Sequence, residues 1–426
     1  MRRSHHYRDG SPGSKNLAAE AHAVVRTGKA LMTTGADSYQ VRTSMELVAA
    51  AIGLDWIQSQ VTLSEVTVTL FQGPRFRTQV GQVHFIGVNA HKLAAIGRMV
   101  HALTPGTSPQ EVEQALDAID AKKPLFTPPA NAAVTAAACT AFAYLAGCGL
   151  VELAGVAVAS FAGQWLRQVL GRRRFNQYVG TLAASLLTAF LYVGVVAAFG
   201  HAAGDHEAAY VAALLYLVPG FPLVTSALDM AKTDFSAGLS RLAYAATLLL
   251  AASGGLMAVT WAVDLEPLPL TEPSLPTAIW WLLHAAASFI GVAGFSAMFN
   301  ATWSCALRAG CIGLVANLLR LVLLHWAVSG WLTSLITALV IGLGATVVSG
   351  RWRTSYLAMA VPAALIMVPG VAAFRALIFF SKGATSDMVD NASVAVFQIV
   401  GMAIGLAAAR TMTDRRWMFD RRQPLN

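Results

Sequence analysis

Charged side chains are scarce in this sequence, and their scarcity decides its class. Aspartate, glutamate, lysine and arginine make up 12% of the 426 residues, whereas soluble proteins carry about 25%. Apolar residues supply 56% of the chain, and the mean hydropathy is +0.57. The composition excludes an ordinary soluble protein. It predicts an integral membrane protein whose long apolar runs begin after Phe126.

Signatures of several other functions are also missing. The four cysteines, at positions 139, 148, 305 and 311, lie in or beside apolar runs without metal-ligand spacing, so we expect packing residues and no metal. No Gly-x-x-x-x-Gly-Lys-Ser/Thr phosphate loop occurs, so we expect neither nucleotide hydrolysis nor a cofactor. The first 16 residues lack the apolar core of a cleavable signal peptide.

The chain before the apolar runs predicts one small domain. Residues 1–16 are basic and polar, which predicts a disordered tail, and residues 17–125 predict a cytoplasmic α+β domain. Apolar and polar residues alternate in Glu65–Phe71, as in a half-buried strand. Ser108 and Glu111 have the spacing of a capping box at a helix start. We interpret this domain as regulatory, or as a vestibule or lid.

From Pro128 the chain contains ten apolar runs, each near the roughly 20 residues that cross a bilayer. We predict a polytopic α-helical membrane protein with ten transmembrane helices, arranged as two inverted five-helix repeats. The first repeat would cover 126–263, the second 277–410, and a basic cytoplasmic tail 411–426. The runs lie at about 130–147, 150–170, 177–199, 208–228, 239–262, 277–299, 307–327, 331–349, 355–380 and 390–410.

The placement of basic residues supports an even number of spans with both termini in the cytoplasm. Among basic residues the predicted outer loops hold only Lys382, beside several acids. Excess lysine and arginine marks the cytoplasmic side. We therefore expect a multi-pass protein of a bacterial-type cell membrane, with the bilayer as its partner and no nucleic acid. The inner loops and tail hold Arg172, Arg173, Arg174, Lys232, Arg308, Arg351, Arg353, Arg410, Arg415, Arg416, Arg421 and Arg422.

Two Val-Pro-Gly triplets interrupt long apolar runs, at Val218–Gly220 and Val368–Gly370. Proline removes a backbone donor and glycine adds freedom, so each helix is expected to kink or break. A broken helix in a bilayer exposes polar backbone groups, which are tolerated only inside protein or beside water. Matching interruptions in two halves point to a transport site. A pair of kinks needed only for packing is the alternative.

Ten spans divide into two halves of five. Because five crossings end on the opposite side of the membrane, the second half is inverted relative to the first. The triplets then fall in spans four and nine, which run in opposite directions. Arg167 and Arg320 lie 153 residues apart, as do Phe142 and Phe295. Weak internal similarity of this kind is expected of inverted repeats.

These features together resemble the threonine/serine exporter family. The amino-terminal part carries Thr34-Gly35-Ala36-Asp37-Ser38-Tyr39-Gln40-Val41-Arg42 and then Ala51-Ile52-Gly53-Leu54. Val218-Pro219-Gly220-Phe221-Pro222 with Asp229 and Asp234 is similar to the family's first membrane half. Met367-Val368-Pro369-Gly370 with Phe374-Arg375-Ala376-Leu377 is similar to its second half. The resemblance covers 17 to about 410 and implies export of threonine and serine driven by the proton gradient.

An exporter of a zwitterion must bind a carboxylate and an ammonium group. Free amides at a helix start attract the carboxylate, and free carbonyls at a helix end attract the ammonium. We predict that five residues shape these ends and bind substrate: Pro219, Gly220, Pro222, Pro369 and Gly370.

Three further side chains are candidates for the substrate site. Thr225 and Ser226 could add hydroxyls one turn beyond the first break, or could bond back to their own helix. Arg375 lies five residues beyond Gly370, as Thr225 lies five beyond Gly220. Its guanidinium suits a carboxylate, although it could also extend to the outer headgroups or pair with an acid.

Coupling or gating is assigned to Asp229, Asp234 and Arg320. Asp229 follows the first break and could carry a proton, bind ammonium or serve only as a loop acid beside Lys232. Arg320 falls in the middle of a span, where an arginine normally faces the protein interior with a partner. A structural ion pair and a substrate contact both remain open for it.

Two alternatives to amino acid export are kept. Split members of the family are linked to dicarboxylate export, which makes a succinate-like substrate the first alternative. The second is a membrane-anchored hydrolase with its site in the amino-terminal domain, and its only basis is that this domain exists. A homo-oligomer is also left open.

Reporter fusions test the topology. We expect a fluorescent protein fused after Asn426 to fluoresce, because the basic tail keeps the carboxyl terminus in the cytoplasm. We expect alkaline phosphatase inserted within 264–276 to be active, because the ten-span topology places this loop on the outer side. A carboxyl terminus found outside would contradict the ten-span prediction.

Overall fold

The computed structural model describes residues 12–83, 86–200, 207–263 and 276–419. Residues 1–11 of the predicted disordered tail lie outside this range. Helix α1 begins at Pro12, within the stretch predicted as tail. Proline suits a helix start, because the missing N–H would have no intrahelical partner there.

A three-stranded antiparallel sheet lies at the centre of the amino-terminal part. Its strands are β1 (Trp56–Val61), β2 (Glu65–Gln72) and β3 (Arg75–Gln82), paired in chain order. The alternation in β2 buries Val66, Val68 and Leu70, and each such side chain contributes about 1.5–3 kcal/mol. The helices of this part are α1 (Pro12–Met32), α2 (Ser38–Ile52), α3 (Ala90–Ala102) and α4 (Pro109–Asp120).

Long helices that pack into one bundle make up the rest of the chain. Five run from α5 to α9: Pro128–Leu145, Leu150–Arg172, Gln177–Ala198, Glu207–Leu214 and Gly220–Ala231. Five more run from α10 to α14: Phe235–Val263, Thr277–Met298, Trp303–His325, Gly330–Trp352 and Tyr356–Ala364. The last are α15 (Gly370–Ser381), α16 (Thr385–Thr413) and α17 (Arg415–Met418).

The bundle has the length and hydropathy of a multi-pass membrane protein. Within the described residues, six helices are long and apolar enough to cross a bilayer, or eight if each bent pair counts as one span. The helices α5 and α6 fall outside that count. Alanine dominates α5, and α6 carries Glu152, Gln164 and Arg167, which lower its mean hydropathy. Ten spans therefore stay a prediction.

Both Val-Pro-Gly triplets break their helices in the same way. Pro219 (φ −78°, ψ 64°) and Pro369 (φ −76°, ψ 60°) have the backbone of an inverse γ-turn. The Gly220 amide donates to the Val218 carbonyl at 2.8 Å, and the Gly370 amide donates two residues back at 2.7 Å. A 3₁₀ turn precedes each break, at Leu215–Leu217 and Leu365–Met367. The helix axes bend by 72° at the first break and by 52° at the second.

The two breaks pack against each other. A Cβ atom placed on Gly220 would lie 2.4 Å from Cδ2 of Leu365, and one on Gly370 would lie 4.0 Å from Cδ1 of Leu215. Leu215 and Leu365 each precede their own glycine by five residues. Each glycine therefore packs near the equivalent leucine of the other break, as expected for two elements related by a two-fold axis.

Packing between the breaks predicts the effect of a small substitution. We expect Gly220→Ala to destabilise the protein by about 1–3 kcal/mol, because its new methyl group overlaps a buried leucine. Gly194→Ala is the control, since a Cβ there meets nothing within 4 Å. Thermal unfolding in detergent measures both variants.

A double substitution separates this contact from a general effect on the helix. Leu365→Ala makes room for the new methyl group, so Gly220→Ala should destabilise that background less than it destabilises the unaltered chain. Equal losses in both backgrounds would show that the breaks do not depend on this contact.

Candidate functional site

A cavity of about 1260 Å³ extends from the amino-terminal domain to the first break. Met32, Gly35 and Val88 line it on the side of the domain, and Tyr216 and Pro219 line it at the break. The helices α6 and α10 supply other wall residues, such as Arg167 and Tyr244 in the bundle. The cavity is a water-accessible space of the kind that an interrupted membrane helix requires.

The charged side chains that the structure describes in this cavity wall are basic. Among the described residues that line it, Arg167, Arg174 and Arg241 are basic and none is acidic. Arg167 Nη1 donates to the Tyr216 carbonyl at 3.3 Å. In an unbroken helix that carbonyl would accept from Gly220, whose amide donates to Val218 instead. The break thus frees a carbonyl, and an arginine from a neighbouring helix satisfies it.

Four of the predicted site residues line this cavity: Pro219, Gly220, Pro222 and Thr225. Thr225 is buried, and its hydroxyl donates to the Phe221 carbonyl at 2.8 Å. The back-bonded alternative for this hydroxyl is therefore present in the structure.

The other predicted substrate and coupling residues are not part of this cavity wall. Ser226 is fully buried, and its carbonyl lies beside Gly238 of α10. Pro369 and Gly370 form the second break, and Arg375 lies half-buried beyond it on α15. Arg320 is half-buried on α12.

Asp229 lies in a buried polar contact between the amino-terminal domain and the bundle. Its carboxylate accepts from the Ser38 amide at 2.9 Å and from the Ser38 hydroxyl at 2.8 Å. Its second oxygen pairs with Arg241 Nε at 3.2 Å. The side chains are 1% and 7% exposed for aspartate and arginine, so the pair is shielded from water and screening ions.

The stretch from Gly35 to Arg42 docks the amino-terminal domain on the bundle. Arg241 Nη1 donates to the Ala36 carbonyl at 2.7 Å. Arg42 Nη2 pairs with Asp234 at 2.8 Å, and the Asp234 side chain is 10% exposed. The stretch that resembles the family's opening motif is therefore an interdomain contact.

Tyr39 extends this contact to the carboxyl end of the bundle. Its hydroxyl donates to Asp414 at 3.2 Å. Burial and the nearby carboxylate raise the pKa of Tyr39 to about 12, so the phenol stays neutral and remains a donor at physiological pH.

Gly35 allows the domain to approach the break closely. Its φ of +96° favours glycine, and a Cβ there would lie 3.2 Å from Cδ1 of Phe221. Phe221 itself packs edge-on against Phe299, with ring centroids 4.9 Å apart. The first break is thus held between the domain and the loop after α11.

A second contact joins that loop to α3. The amides of Ala90 and His91, at the start of α3, donate to the carbonyls of Phe299 and Asn300 at 2.9 and 3.2 Å. Asn300 Nδ2 also donates to Asn89 Oδ1 at 2.9 Å. The first amides of a helix have no partner within it, and here the bundle supplies acceptors for them.

Reasoning from the sequence missed the partners that give Asp229 its role. Ser38 is by pattern only a residue at a helix start, and Arg241 lies seven residues after Asp234, which gives no indication that it pairs with Asp229. An arginine within an apolar run was the available signal. Within the described residues, no group of three His, Cys, Asp or Glu side chains could hold a metal.

Two family models match this chain. The model described as "Putative threonine/serine exporter" matches residues 22–263, and the model described as "Threonine/Serine exporter, ThrE" matches residues 284–412. The chain belongs to the threonine/serine exporter family. The resemblance predicted from the motifs is confirmed, and both halves of the family occur in one chain. As a member of an exporter family with several long apolar helices, it is a multi-pass plasma-membrane protein.

Curated relatives of this threonine/serine exporter family member carry two different names. The "Threonine/serine exporter" of Corynebacterium glutamicum is 23% identical over 418 residues, which cover 95% of this chain and 83% of that protein. The "Probable succinate transporter subunit YjjP" of Escherichia coli K12 is 26% identical over 242 residues, which cover 55% of this chain and 92% of that protein. A YjjP of Klebsiella aerogenes is 26% identical over 54% of this chain and 89% of its own. No solved structure matches the chain.

Loss of the buried charge on Asp229 should destabilise the docked domain. We expect Asp229→Asn to lower the free energy of unfolding by about 3–5 kcal/mol, because it leaves Arg241 buried without its counter-charge. Asp117→Asn is the matched control, since it makes the same change at a carboxylate that is 68% exposed where it pairs with Arg26, and it should change stability by about 1 kcal/mol or less. Thermal unfolding in detergent gives both values, and equal losses would contradict the assignment.

Proposed function

We propose that this protein is a secondary exporter of small hydroxy amino acids, threonine and serine, driven by the proton gradient. The observation that carries the proposal is the cavity that reaches from the amino-terminal domain to the first helix break. Transporters bind their substrates at such interruptions near the middle of the bilayer. The full-length similarity to the Corynebacterium glutamicum exporter supports the same substrate class.

The proposed architecture has ten spans in two inverted halves, with both termini inside. The reciprocal packing of Gly220 on Leu365, and of Gly370 near Leu215, supports it. In this topology α9 leads from the first break to the cytoplasm, and α15 leads from the second break outward. The cavity at the first break is then the inner access path, and the second break belongs to the outer path.

Helix ends at the breaks would bind the charged groups of the substrate. Pro219 and Pro369 cannot donate, so the helix ladder is interrupted at each of them. Pro222 lies in the first turn of α9, where a backbone N–H would have no partner within the helix. Gly220 and Gly370 begin the helices that follow the breaks, and the absence of a side chain at Gly220 leaves room for Leu365. Thr225 would face the substrate only through a hydroxyl already bonded to its helix, so we assign it a shaping role.

Asp229 is the proposed proton carrier of the inner gate. Its carboxylate holds Ser38 of the domain and Arg241 of α10 together. Protonation would remove the charge that Arg241 requires and weaken the domain's hold beside the cavity. Asp234 would act with it through Arg42, so the domain serves as a lid. Ser226 and Arg320 would support these movements from within the bundle.

Dicarboxylate export is the second candidate. Arg241 is paired with Asp229, but the wall also carries Arg167 and Arg174 and, among its described residues, no acid, which favours an anionic substrate. The YjjP relatives that match about half of this chain carry succinate in their names.

Reconstitution in liposomes tests the proposed function. Vesicles loaded with labelled threonine, serine or succinate are given a pH gradient, and release is measured with and without a protonophore. We expect gradient-dependent release of threonine and serine. Release of succinate alone would favour the second candidate, and no gradient-dependent movement of any of them would overturn the exporter proposal.

Arg375 tests the outer half of the path. We expect Arg375→Ala to abolish transport and Arg375→Lys to weaken it, because lysine keeps the charge but loses the paired donors that suit a carboxylate. Transport in liposomes is compared at equal protein level, with Lys382→Ala as a basic control just beyond the same helix. Near-normal export by Arg375→Ala would show that the carboxylate is bound elsewhere.

A further inference from the structure

Three amide side chains meet where α5 packs against α6: Asn131, Gln164 and Gln168. Asn131 Nδ2 donates to the main-chain carbonyl of Met298 at 3.0 Å. A carbonyl can only accept, so this bond turns Asn131 Oδ1 toward the two glutamines. Gln164 Nε2 donates to that oxygen at 2.8 Å, and Gln168 Nε2 donates to it as well. The Gln164 amide therefore presents its own oxygen to the other side.

Gln164 lines the cavity, and the oxygen of its side chain is an unused acceptor. The side chain is 4% exposed and lines the cavity. Its Oε1 is buried without a hydrogen-bond partner among the described residues. Buried acceptors are almost always satisfied. An acceptor left open beside a cavity points to a ligand that donates, such as an ammonium or hydroxyl group.

Arg167 lies one helical turn beyond Gln164, on the same face of α6. It also lines the cavity. One of its nitrogens donates to the Tyr216 carbonyl, and a guanidinium carries further donors in the same plane. These donors suit a carboxylate. An anion-binding group and a cation-binding group thus lie side by side.

Their depth matches a substrate site. Gln164 precedes Arg172, the last residue of α6, by eight positions, which is about 12 Å along a helix. Gln164 therefore lies about two turns and Arg167 about one and a half turns inside the end of α6, and Arg167 contacts the Tyr216 carbonyl at the first break. A surface position would instead suggest contact with lipid headgroups.

We propose that Gln164 and Arg167 form a clamp for the head group of an α-amino acid. Arg167 binds the carboxylate, and Gln164 Oε1 accepts from the ammonium group. The clamp rests on the proposed function, since it names the residues that select the exported substrate. It also separates the two substrate classes, because a dicarboxylate offers no donor to Gln164 and would place an anionic oxygen near it.

The same arrangement occurs in the second half of the chain. Asn317 and Arg320 are also three residues apart, on α12, and each lies 153 positions after its counterpart in the clamp. Asn317 Nδ2 donates to Ser288 Oγ at 2.8 Å, and its Oδ1 is buried without a partner among the described residues. An amide with an open oxygen beside an arginine thus occurs in both halves, although this second pair is not part of the cavity wall.

Binding to the purified full-length protein tests the clamp without relying on transport. The probes are threonine, threonine without its amino group (β-hydroxybutyrate) and succinate, each titrated by calorimetry in detergent. Gln164→Met is the variant, because methionine keeps the length and apolar stem but has no carbonyl oxygen. Gln168→Met is the matched control, since it loses the same bond to Asn131. A thermal melt of each variant shows whether it is folded.

The expected result is a loss of discrimination. The unaltered protein should bind threonine about 10- to 100-fold more tightly than β-hydroxybutyrate, as one hydrogen bond to a charged group provides. In Gln164→Met the two affinities should converge, whereas in Gln168→Met the difference should remain. Arg167→Lys should weaken both ligands together.

Other outcomes overturn the clamp or the exporter proposal separately. If a folded Gln164→Met protein still prefers threonine, or if the unaltered protein prefers succinate, the clamp is wrong while a transport function stands. If the unaltered protein binds none of the three probes, the proposed export function is contradicted, and the clamp with it. Because the comparison is a ratio of two ligands on one variant, a general loss of stability cannot imitate the expected result.

Discussion

Every polar backbone group inside a bilayer needs a partner, and the arrangement around the two breaks follows from that constraint. Pro219 and Pro369 each remove a backbone donor within an apolar run, and the backbone forms an inverse γ-turn at each of them. The Tyr216 carbonyl, released by the first break, accepts from Arg167 of a neighbouring helix. An arginine is thereby held within the bundle, in the wall of the cavity. The guanidinium satisfies the carbonyl that the break exposes, and that carbonyl gives the guanidinium an acceptor.

A buried carboxylate links the helix after the first break to the amino-terminal domain. Asp229 lies in the last turn of the helix that starts at Gly220, and it binds both Ser38 of the domain and Arg241 of the next helix. Gly35 of the same stretch contacts the ring of Phe221 within the break. The domain is thus attached to the helix that follows the first break. A buried pair of this kind depends on its charge state, because either partner left alone is costly.

The positions of helices and strands could be predicted from the local sequence pattern, but the contacts between distant residues could not. Alternation over Glu65–Phe71 predicted the strand that the structure places at Glu65–Gln72. Ser108 and Glu111 predicted a helix start, which the structure closes as a capping box. The Val-Pro-Gly triplets predicted the two breaks, because proline acts on its own helix. Thr225 shows the limit, since both a substrate contact and a back-bond fit the same spacing, and the structure contains the back-bond. Gln164 was overlooked entirely, because a lone glutamine in an apolar run has no pattern.

The sequence by itself determined the membrane class, the places where helices break and the family, since composition, proline chemistry and a contiguous motif are all properties of neighbouring residues. Only the tertiary structure decided which residues meet. Ser38 and Asp229 are 191 positions apart, and Gly220 packs on Leu365 from the other half. The open oxygen of Gln164 depends on Asn131 and Met298, which lie on two other helices. Such contacts depend on how helices pack, and packing is a property of the whole chain rather than of any segment.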